Sequence, residues 1–298
     1  MINAVPLASV VRISIALSAA WLCANPAHAQ LNRTAVSLTG IDADNCSPAT
    51  PCRTFARAMS QTNSGGEIIV RDSAGYGPFT INKSVTVQAA PGVYAGITAT
   101  SGNAITISLG PSGKVVLRGL TLEGLGTGAR GIDGFGGVVH IENCVVNGFD
   151  FGIVVGGYTA TINDSVVRNN RTIGIIVANA GNRAILEHVQ VKNNVTWGVV
   201  VQDSARGTIR NSVVTGHTIG LAAIASGVLN IENTASSHNT TGVAADSGGT
   251  IRASNTFVTD NSSSGLRKDV GTFESWGNNK VRGNLLDTSG AITTVGQQ

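Results

Sequence analysis

Short apolar runs alternate with polar corners along this chain, and the alternation has a fixed period. A glycine followed by an apolar residue recurs every 21 to 24 residues, at Gly131, Gly152, Gly174, Gly198, Gly220, Gly242 and Gly265. Each unit contains three runs of three to five residues that suit β-strands, and Asn-rich corners close it. Three short strands in about 22 residues predict a coil of parallel β-rungs.

Equivalent residues of successive rungs should stack in columns, because hydrogen-bonded strands lie about 4.8 Å apart. Two columns are predicted to point inwards, namely Ile153, Ile175, Val199, Leu221 and Val243, and beside them Ile141, Ile162, Leu186, Ile209 and Ile231. Because side chains alternate between the two faces of a strand, an outward apolar column is also predicted: Val154, Ile176, Val200, Ala222 and Ala244. A bare column of this kind favours a partner face for a second copy or an envelope protein, although scattered surface Val and Ala need no partner.

This repeat resembles the right-handed parallel β-helix, or pectin-lyase-like, family from about residue 36 to the C-terminus. Residues 51–59 resemble the short helix that caps the open end in such proteins, with Phe55, Ala58 and Met59 packed on the first rungs. The resemblance implies an all-β, right-handed, single-stranded parallel β-helix. We divide the chain into a signal peptide (1–29), an N-terminal cap (30–64), the rungs (65–264) and a C-terminal cap and tail (265–298).

The N-terminal segment has the pattern of a secretory signal. Arg12 precedes an apolar run over residues 13–24, and the small-x-small site Ala27-His28-Ala29 predicts cleavage before Gln30. No later stretch is long enough to span a bilayer. We therefore expect a secreted or periplasmic protein. In that setting Cys46 and Cys52, which share a Pro-rich loop, favour a local disulfide.

Composition excludes several classes of protein. Of the 298 residues, 38 are Gly, 42% are hydrophobic and only 12% are charged, which argues against disorder and against a helical fold. A formal net charge of +3 without a basic run gives no indication of nucleic-acid binding. The histidines are isolated from one another in the sequence, so no metal site is expected.

The family resemblance implies enzymes that act on acidic polysaccharides by Ca²⁺-assisted lysis, hydrolysis or epimerisation. Such sites need clustered carboxylates. In the family, many of these carboxylates occupy outward positions on successive rungs. The corresponding positions of this chain hold Asp133 and then five apolar residues, which argues against a standard site. No cofactor is expected, and Ca²⁺ belongs only to the enzyme alternative. Under that alternative the catalytic candidates are Asp133, His140 and Asp150, provided that they meet in one cleft.

Other polar and aromatic residues allow both a structural and a ligand-binding interpretation. Arg168 and Lys192 form one column with Arg171 nearby, and they suit a solvated face or an anion-binding groove for uronates. Tyr158 and Trp197 are candidates for stacking on a sugar ring. A structural role is expected for two further sets, the salt-bridge ladder of Glu187, Arg210 and Glu232 and the local pair of Asp203 and Arg206.

The leading hypothesis is an exported, non-catalytic binding or scaffold module at the cell envelope. Its partners would be a polysaccharide, an envelope protein or a second copy that docks on the outward column. One alternative is a carbohydrate-active enzyme with an atypical site, and another is an adhesin or tailspike-like module. A cluster of convergent carboxylates would separate the enzyme from the binding module.

Overall fold

The computed structural model describes residues 30–296, and the predicted signal peptide lies outside the described residues. Within this range the chain forms a stack of β-rungs with one short helix near its N-terminal end, and no helix is long and apolar enough to cross a membrane. The first elements are β1 (Leu31–Val36), α1 (Phe55–Gln61), β2 (Thr62–Val70), β3 (Ala74–Gly75), β4 (Phe79–Ile81), β5 (Val85–Ala89), β6 (Ala95–Thr98), β7 (Asn103–Ser108), β8 (Lys114–Arg118) and β9 (Leu120–Phe135).

The rest of the chain repeats a three-strand unit. Its middle part contains β10 (Val138–Glu142), β11 (Val145–Val155), β12 (Thr159–Asn163), β13 (Val166–Arg168), β14 (Ile173–Val177), β15 (Arg183–Glu187), β16 (Gln190–Lys192), β17 (Trp197–Val201), β18 (Arg206–Arg210), β19 (Val213–Thr215) and β20 (Ile219–Ala223). The last strands are β21 (Val228–Glu232), β22 (Ala235–Ser237), β23 (Thr241–Ala245), β24 (Thr250–Ser254), β25 (Phe257–Thr259), β26 (Ser264–Lys268), β27 (Thr272–Ser275), β28 (Lys280–Arg282), β29 (Leu286–Ser289) and β30 (Thr293–Thr294).

Parallel pairing between successive rungs gives the solenoid three faces. Sheet A contains β1, β2, β5, β8, β10, β12, β15, β18, β21, β24, β27 and β30. Sheet B contains β3, β6, β9, β11, β13, β16, β19, β22, β25 and β28. Sheet C contains β4, β7, β9, β11, β14, β17, β20, β23, β26 and β29. The long strands β9 and β11 turn the corner between sheets B and C and belong to both.

The structure confirms the predicted rung fold and its inward columns. Ile153, Ile175, Val199, Leu221 and Val243 are aligned across sheet C and fully buried. The second column, from Ile141 to Ile231, is aligned across sheet A, and no member is more than 2% exposed. Equivalent apolar residues of successive rungs therefore stack on one another to form the core. This stacking is why the period could be recognised in the sequence.

Helix α1 closes the N-terminal end of the core. Phe55, Ala58 and Met59 are buried, and the ring of Phe55 lies 4.8 Å from that of Phe79 and 5.3 Å from that of Tyr76. The hydroxyl of Thr54 accepts a hydrogen bond from the backbone N–H of Arg57 and so caps the helix. The disulfide between Cys46 and Cys52 is present. The structure therefore confirms the predicted helix, its buried residues and the disulfide.

The C-terminal segment differs from the expected cap. Strands β26 to β30 continue the three sheets, so residues 265–294 are further rungs and not a separate covering segment. The repeat fades in the sequence because its columns become polar: Ala253 is followed by Ser275 and Thr294 in an inward column of sheet A.

The corner between sheets B and C holds a buried ladder of polar side chains. Asn170, Asn194, Asn239 and Asn261 are at most 2% exposed. The side-chain oxygen of each amide accepts from the backbone N–H of the preceding rung, as in Asn170 N to Asn194 Oδ1 (2.9 Å) and Asn239 N to Asn261 Oδ1 (3.0 Å). Amides also bond directly from rung to rung, and Asn284 continues the ladder. The ladder thus pairs buried backbone groups that the turn leaves free.

The repeated glycine is explained by this ladder. A Cβ on Gly174 would lie 2.6 Å from the carbonyl oxygen of Gly198 and 2.7 Å from Nδ2 of Asn194. The other glycines of the column have equivalent close neighbours, including Nδ2 of the ladder amide at Gly152, Gly220, Gly242 and Gly265. Only a residue without a side chain lets strand and amide approach this closely.

We predict that Gly174→Ala destabilises the protein by about 1–3 kcal/mol, because the added methyl group overpacks a rigid corner. The measurement is the urea unfolding midpoint. Gly110→Ala is the matched control, since a Cβ at Gly110 meets nothing within 4 Å. Equal stability of the two variants would contradict the explanation.

His217 occupies one position of the amide ladder. Its Nδ1 lies 3.0 Å from the backbone nitrogen and 2.8 Å from the carbonyl oxygen of Asn194, and its Nε2 lies 3.1 Å from the carbonyl oxygen of Val191. We assign the neutral ring with its proton on Nε2, since Nδ1 then accepts from the Asn194 N–H and Nε2 donates to Val191. Burial lowers the pKa of His217 below its ordinary value of 6.5.

A pH dependence follows from this burial. Because the pKa of His217 is lower in the folded than in the unfolded state, its contribution to stability is fully present above about pH 6.5. That contribution falls as the pH drops towards the folded pKa. The slope is at most about 1.4 kcal/mol per pH unit for one group. We predict that His217→Asn makes the wild-type decline in urea midpoint between pH 7 and 5 shallower. His238→Asn, at an exposed histidine, should keep the wild-type slope; an unchanged slope in His217→Asn would contradict the prediction.

Candidate functional site

The three catalytic candidates do not converge. Asp133 lies on sheet C and is paired with Arg130 (Nη1 to Oδ2, 2.6 Å), while His140 lies on sheet A. Asp150, at the corner of β11, accepts from the hydroxyl of Thr172 (2.6 Å). Within residues 30–296 the three side chains share no hydrogen bond or ion pair, so the structure provides no cleft in which they meet.

The outward positions of sheet C do not fit a Ca²⁺ site either. The carboxylate of Asp133 is neutralised by Arg130, and the positions that follow it in register, Val154 and Ile176, offer no oxygen ligand from a side chain. In the part of the chain that the structure describes, no three His, Cys, Asp or Glu side chains are grouped closely enough to hold a metal ion.

The outward apolar column exists, but it is not bare. Val200, Ala222 and Ala244 are at most 1% exposed, and Val154 and Ile176 are half-buried. Side chains from neighbouring rungs lie over the column and form an outer apolar cluster of Phe151, Ile173, Ile176, Trp197, Val200, Ile219, Ala222 and Ile224. The expectation that the whole column is bare is therefore wrong. Whether this face binds a partner stays a prediction.

A substitution at Val200 tests the corrected assignment. We predict that Val200→Lys destabilises the fold by about 2–4 kcal/mol, because it places an unpaired charge in a buried apolar cluster. Ile185→Lys on sheet A is the control: Ile185 is 44% exposed, and its replacement should change stability by no more than about 0.5 kcal/mol. Thermal unfolding measures both, and tolerance of both lysines would contradict burial of the column.

The aromatic candidates have structural roles. Tyr158 is 3% exposed, and its hydroxyl donates to the carbonyl oxygen of Val154 (2.9 Å). Burial and the nearby Asp133 carboxylate raise the pKa of Tyr158. Tyr158 therefore cannot stack on a sugar ring, and that prediction is wrong. Trp197 is half-buried against the outer apolar cluster, and its contact with a ligand stays a prediction.

Two adjoining depressions that share His188 follow the corner between sheets A and B. One segment, of about 430 Å³, is lined by His188, Asn211, Ser212, Val213, Asn233, Thr234, Ala235, Asn255 and Phe257. A second segment, of about 380 Å³, shares His188 and is lined by Asp164, Ser165, Val166 and Gln190. We call the two segments together the corner groove. Its polar wall crosses five rungs and is therefore about 19 Å long.

The polar wall of the corner groove is a column of residues in left-handed conformation. Asp164, His188, Asn211, Asn233 and Asn255 have φ between 43° and 52°, a range that Asn and Asp tolerate best among residues with a side chain. Nδ2 of Asn233 donates to Oδ1 of Asn211 (2.6 Å), and Nδ2 of Asn255 donates to Oδ1 of Asn233 (3.3 Å). An amide has two N–H donors and two acceptor lone pairs, so each has groups left for a ligand.

Sheet B forms the other wall of the corner groove. Val213 and Phe257 are 39% and 48% exposed and face outwards with Ala235. On the same face, Arg168 lies directly opposite Lys192 on the next rung, as the sequence predicts. Neither cation has a carboxylate within 4 Å in the described chain, whereas Arg171 lies 3.9 Å from Asp150. Amides, apolar surface and two unpaired positive charges are thus brought onto one face.

Comparison with known proteins shows the family. The family model of a right-handed β-helix region matches residues 68–227 and 151–297. The chain belongs to the right-handed β-helix family.

Among solved structures, this β-helix protein is similar to pectate lyase Pel9A, with a TM-score of 0.62 and 16% identity over 90% of this chain and 78% of that chain. It is also similar to the A-module of the Azotobacter vinelandii mannuronan C-5 epimerase AlgE6, with a TM-score of 0.41 and 14% identity over 89% of each chain. No curated protein sequence matches it. At 16% identity, the similarity to pectate lyase Pel9A shows the fold and not the activity.

Sequence reasoning missed the corner groove of this β-helix protein. Arg168 and Lys192 were identifiable as a column, but the adjacent depression arises from the shape of the turn. A signal was nevertheless present: Asp164, His188, Asn211, Asn233 and Asn255 recur with the period of the rungs, and all are polar residues found in left-handed turns.

Proposed function

We propose that this β-helix protein is a non-catalytic binding module and that an acidic polysaccharide lies along its corner groove. The observation that carries the proposal is the combination of an amide ladder, exposed Val213 and Phe257, and the unpaired Arg168–Lys192 pair on one face. Amides and apolar faces suit sugar rings, while the two cations suit carboxylates. The polymer's repeating units match a surface that repeats every rung.

Export of the protein is part of this proposal. The disulfide between Cys46 and Cys52 supports it, since such bonds persist in oxidising compartments. A module in the periplasm or outside the cell would meet envelope polysaccharides directly.

One observation favours an enzyme as the second candidate. In the corner groove, Nδ1 of His188 lies 3.7 Å from Oδ1 of Asp164, and both side chains are more than half exposed. An Asp–His pair in a groove can move a proton. However, a hydrolase needs a second carboxylate close by, and Asp164 is the sole carboxylate among the residues that line the groove.

Binding to polysaccharide gels tests the proposal. We predict that polygalacturonate or alginate retards the wild-type protein in affinity electrophoresis and that a neutral glucan does so less. Arg168→Gln and Lys192→Gln should each weaken binding about five- to tenfold by removing a charge-assisted contact, and Phe257→Ala should weaken it through lost apolar contact.

Arg118→Gln is the matched control, because Arg118 lies on sheet A and pairs with Glu142 (2.7 Å). It should bind like the wild type. No retardation by any acidic polymer, or equal retardation of all variants, would contradict the proposal. Turnover of the polymer that disappears in Asp164→Asn and His188→Asn would establish the enzyme alternative instead.

A further inference from the structure

Charged neighbours on the outer face of sheet A follow a rule of opposite sign. Arg33–Glu67, Arg118–Glu142, Glu187–Arg210 and Arg252–Glu274 each join successive rungs with an N–O distance of 2.7 Å. The Arg210 guanidinium lowers the pKa of Glu187, as expected for an ion pair. One pair on this face breaks the rule: Arg183 and Arg206 lie directly opposite each other.

Neither of these arginines is neutralised by the protein. Both are exposed, and neither guanidinium makes an ion pair or a side-chain hydrogen bond with any residue in 30–296. The sequence predicts a local pair of Arg206 with Asp203, but this is wrong: the Asp203 carboxylate accepts from Nε2 of Gln202 (2.8 Å). The flanking residues in the same column, Thr159 and Val228, are uncharged.

Like charges that are directly opposite on neighbouring strands destabilise a sheet. The Cα atoms of Arg183 and Arg206 are one strand spacing apart, about 4.8 Å. At that distance both guanidinium groups can contact the same small oxyanion, and each offers a planar set of N–H donors. A phosphate monoester carries a charge between −1.5 and −2 at neutral pH, which matches the two positive charges.

We propose that Arg183 and Arg206 form a binding site for a phosphate monoester group, separate from the corner groove. The two arginines begin β15 and β18, whereas the groove follows the opposite ends of these strands. The group would be either a small phosphorylated molecule or a substituent on an envelope glycan, and both present the same oxygens to the pair.

The experiment uses thermal shift and calorimetry on the full chain at pH 8 and constant ionic strength. Inorganic phosphate and a phosphorylated mannan are the two probes, and polygalacturonate supplies carboxylates for comparison. Phosphate should raise the wild-type melting temperature in a saturable manner. Arg183→Gln and Arg206→Gln should each weaken phosphate affinity about tenfold. Arg210→Gln removes a paired arginine from the same face and should leave the affinity unchanged.

A charge reversal separates a binding role from a merely structural one. Without ligand, Arg183→Glu should raise the melting temperature, because it restores the rule of opposite sign, yet it should abolish the phosphate-induced shift. Tighter binding of the mannan than of phosphate assigns the site to a glycan, and binding of phosphate alone assigns it to a small molecule; both support the site. No saturable shift, an equal shift in all variants, or a response to polygalacturonate alone would overturn the proposal.

Discussion

Parallel pairing in register is the constraint on which the rest of this structure depends. Each strand bonds to the equivalent strand of the next rung, so each side chain contacts its own counterpart above and below. Apolar residues satisfy this arrangement easily, as the columns of Ile, Leu and Val in the core show. Amides satisfy it as well, because one residue type is both donor and acceptor. Charges satisfy it only when their signs alternate.

The corner between sheets B and C combines two of these solutions. The amides of Asn170, Asn194, Asn239 and Asn261 occupy space that a side chain on the sheet C strand of the preceding rung would need, so that strand has a glycine there. Ladder and glycine column therefore depend on each other, and this joint requirement explains why both recur with the sequence period. His217 can enter the ladder because its ring nitrogens provide one acceptor and one donor at comparable positions.

The sequence is informative where a residue's environment is its own repeat. The inward columns, the buried side of helix α1 and the Arg168–Lys192 alignment could all be predicted on that basis. The coverage of Val200 and Ala222 could not, because strict alternation places Phe151 on the same face as Ile153. In the structure the chain changes face at the corner glycine, and Phe151 lies in the outer apolar cluster. The corner groove was missed for a related reason, since it is formed by the shape of the turn and not by a local motif.

The same constraint bears on chemistry. A catalytic centre needs dissimilar groups, such as a carboxylate and a base, to converge on one atom of a substrate. Stacked rungs instead tend to repeat one group along a line, and here they give lines of amides, of apolar residues and of paired ions. Asp133, His140 and Asp150 lie in separate columns. Asp133 pairs with Arg130, and Asp150 accepts a hydrogen bond from Thr172. A line of identical groups is better suited to a ligand that is itself repetitive, and departures from the line, such as two arginines placed together, are where a discrete group can bind.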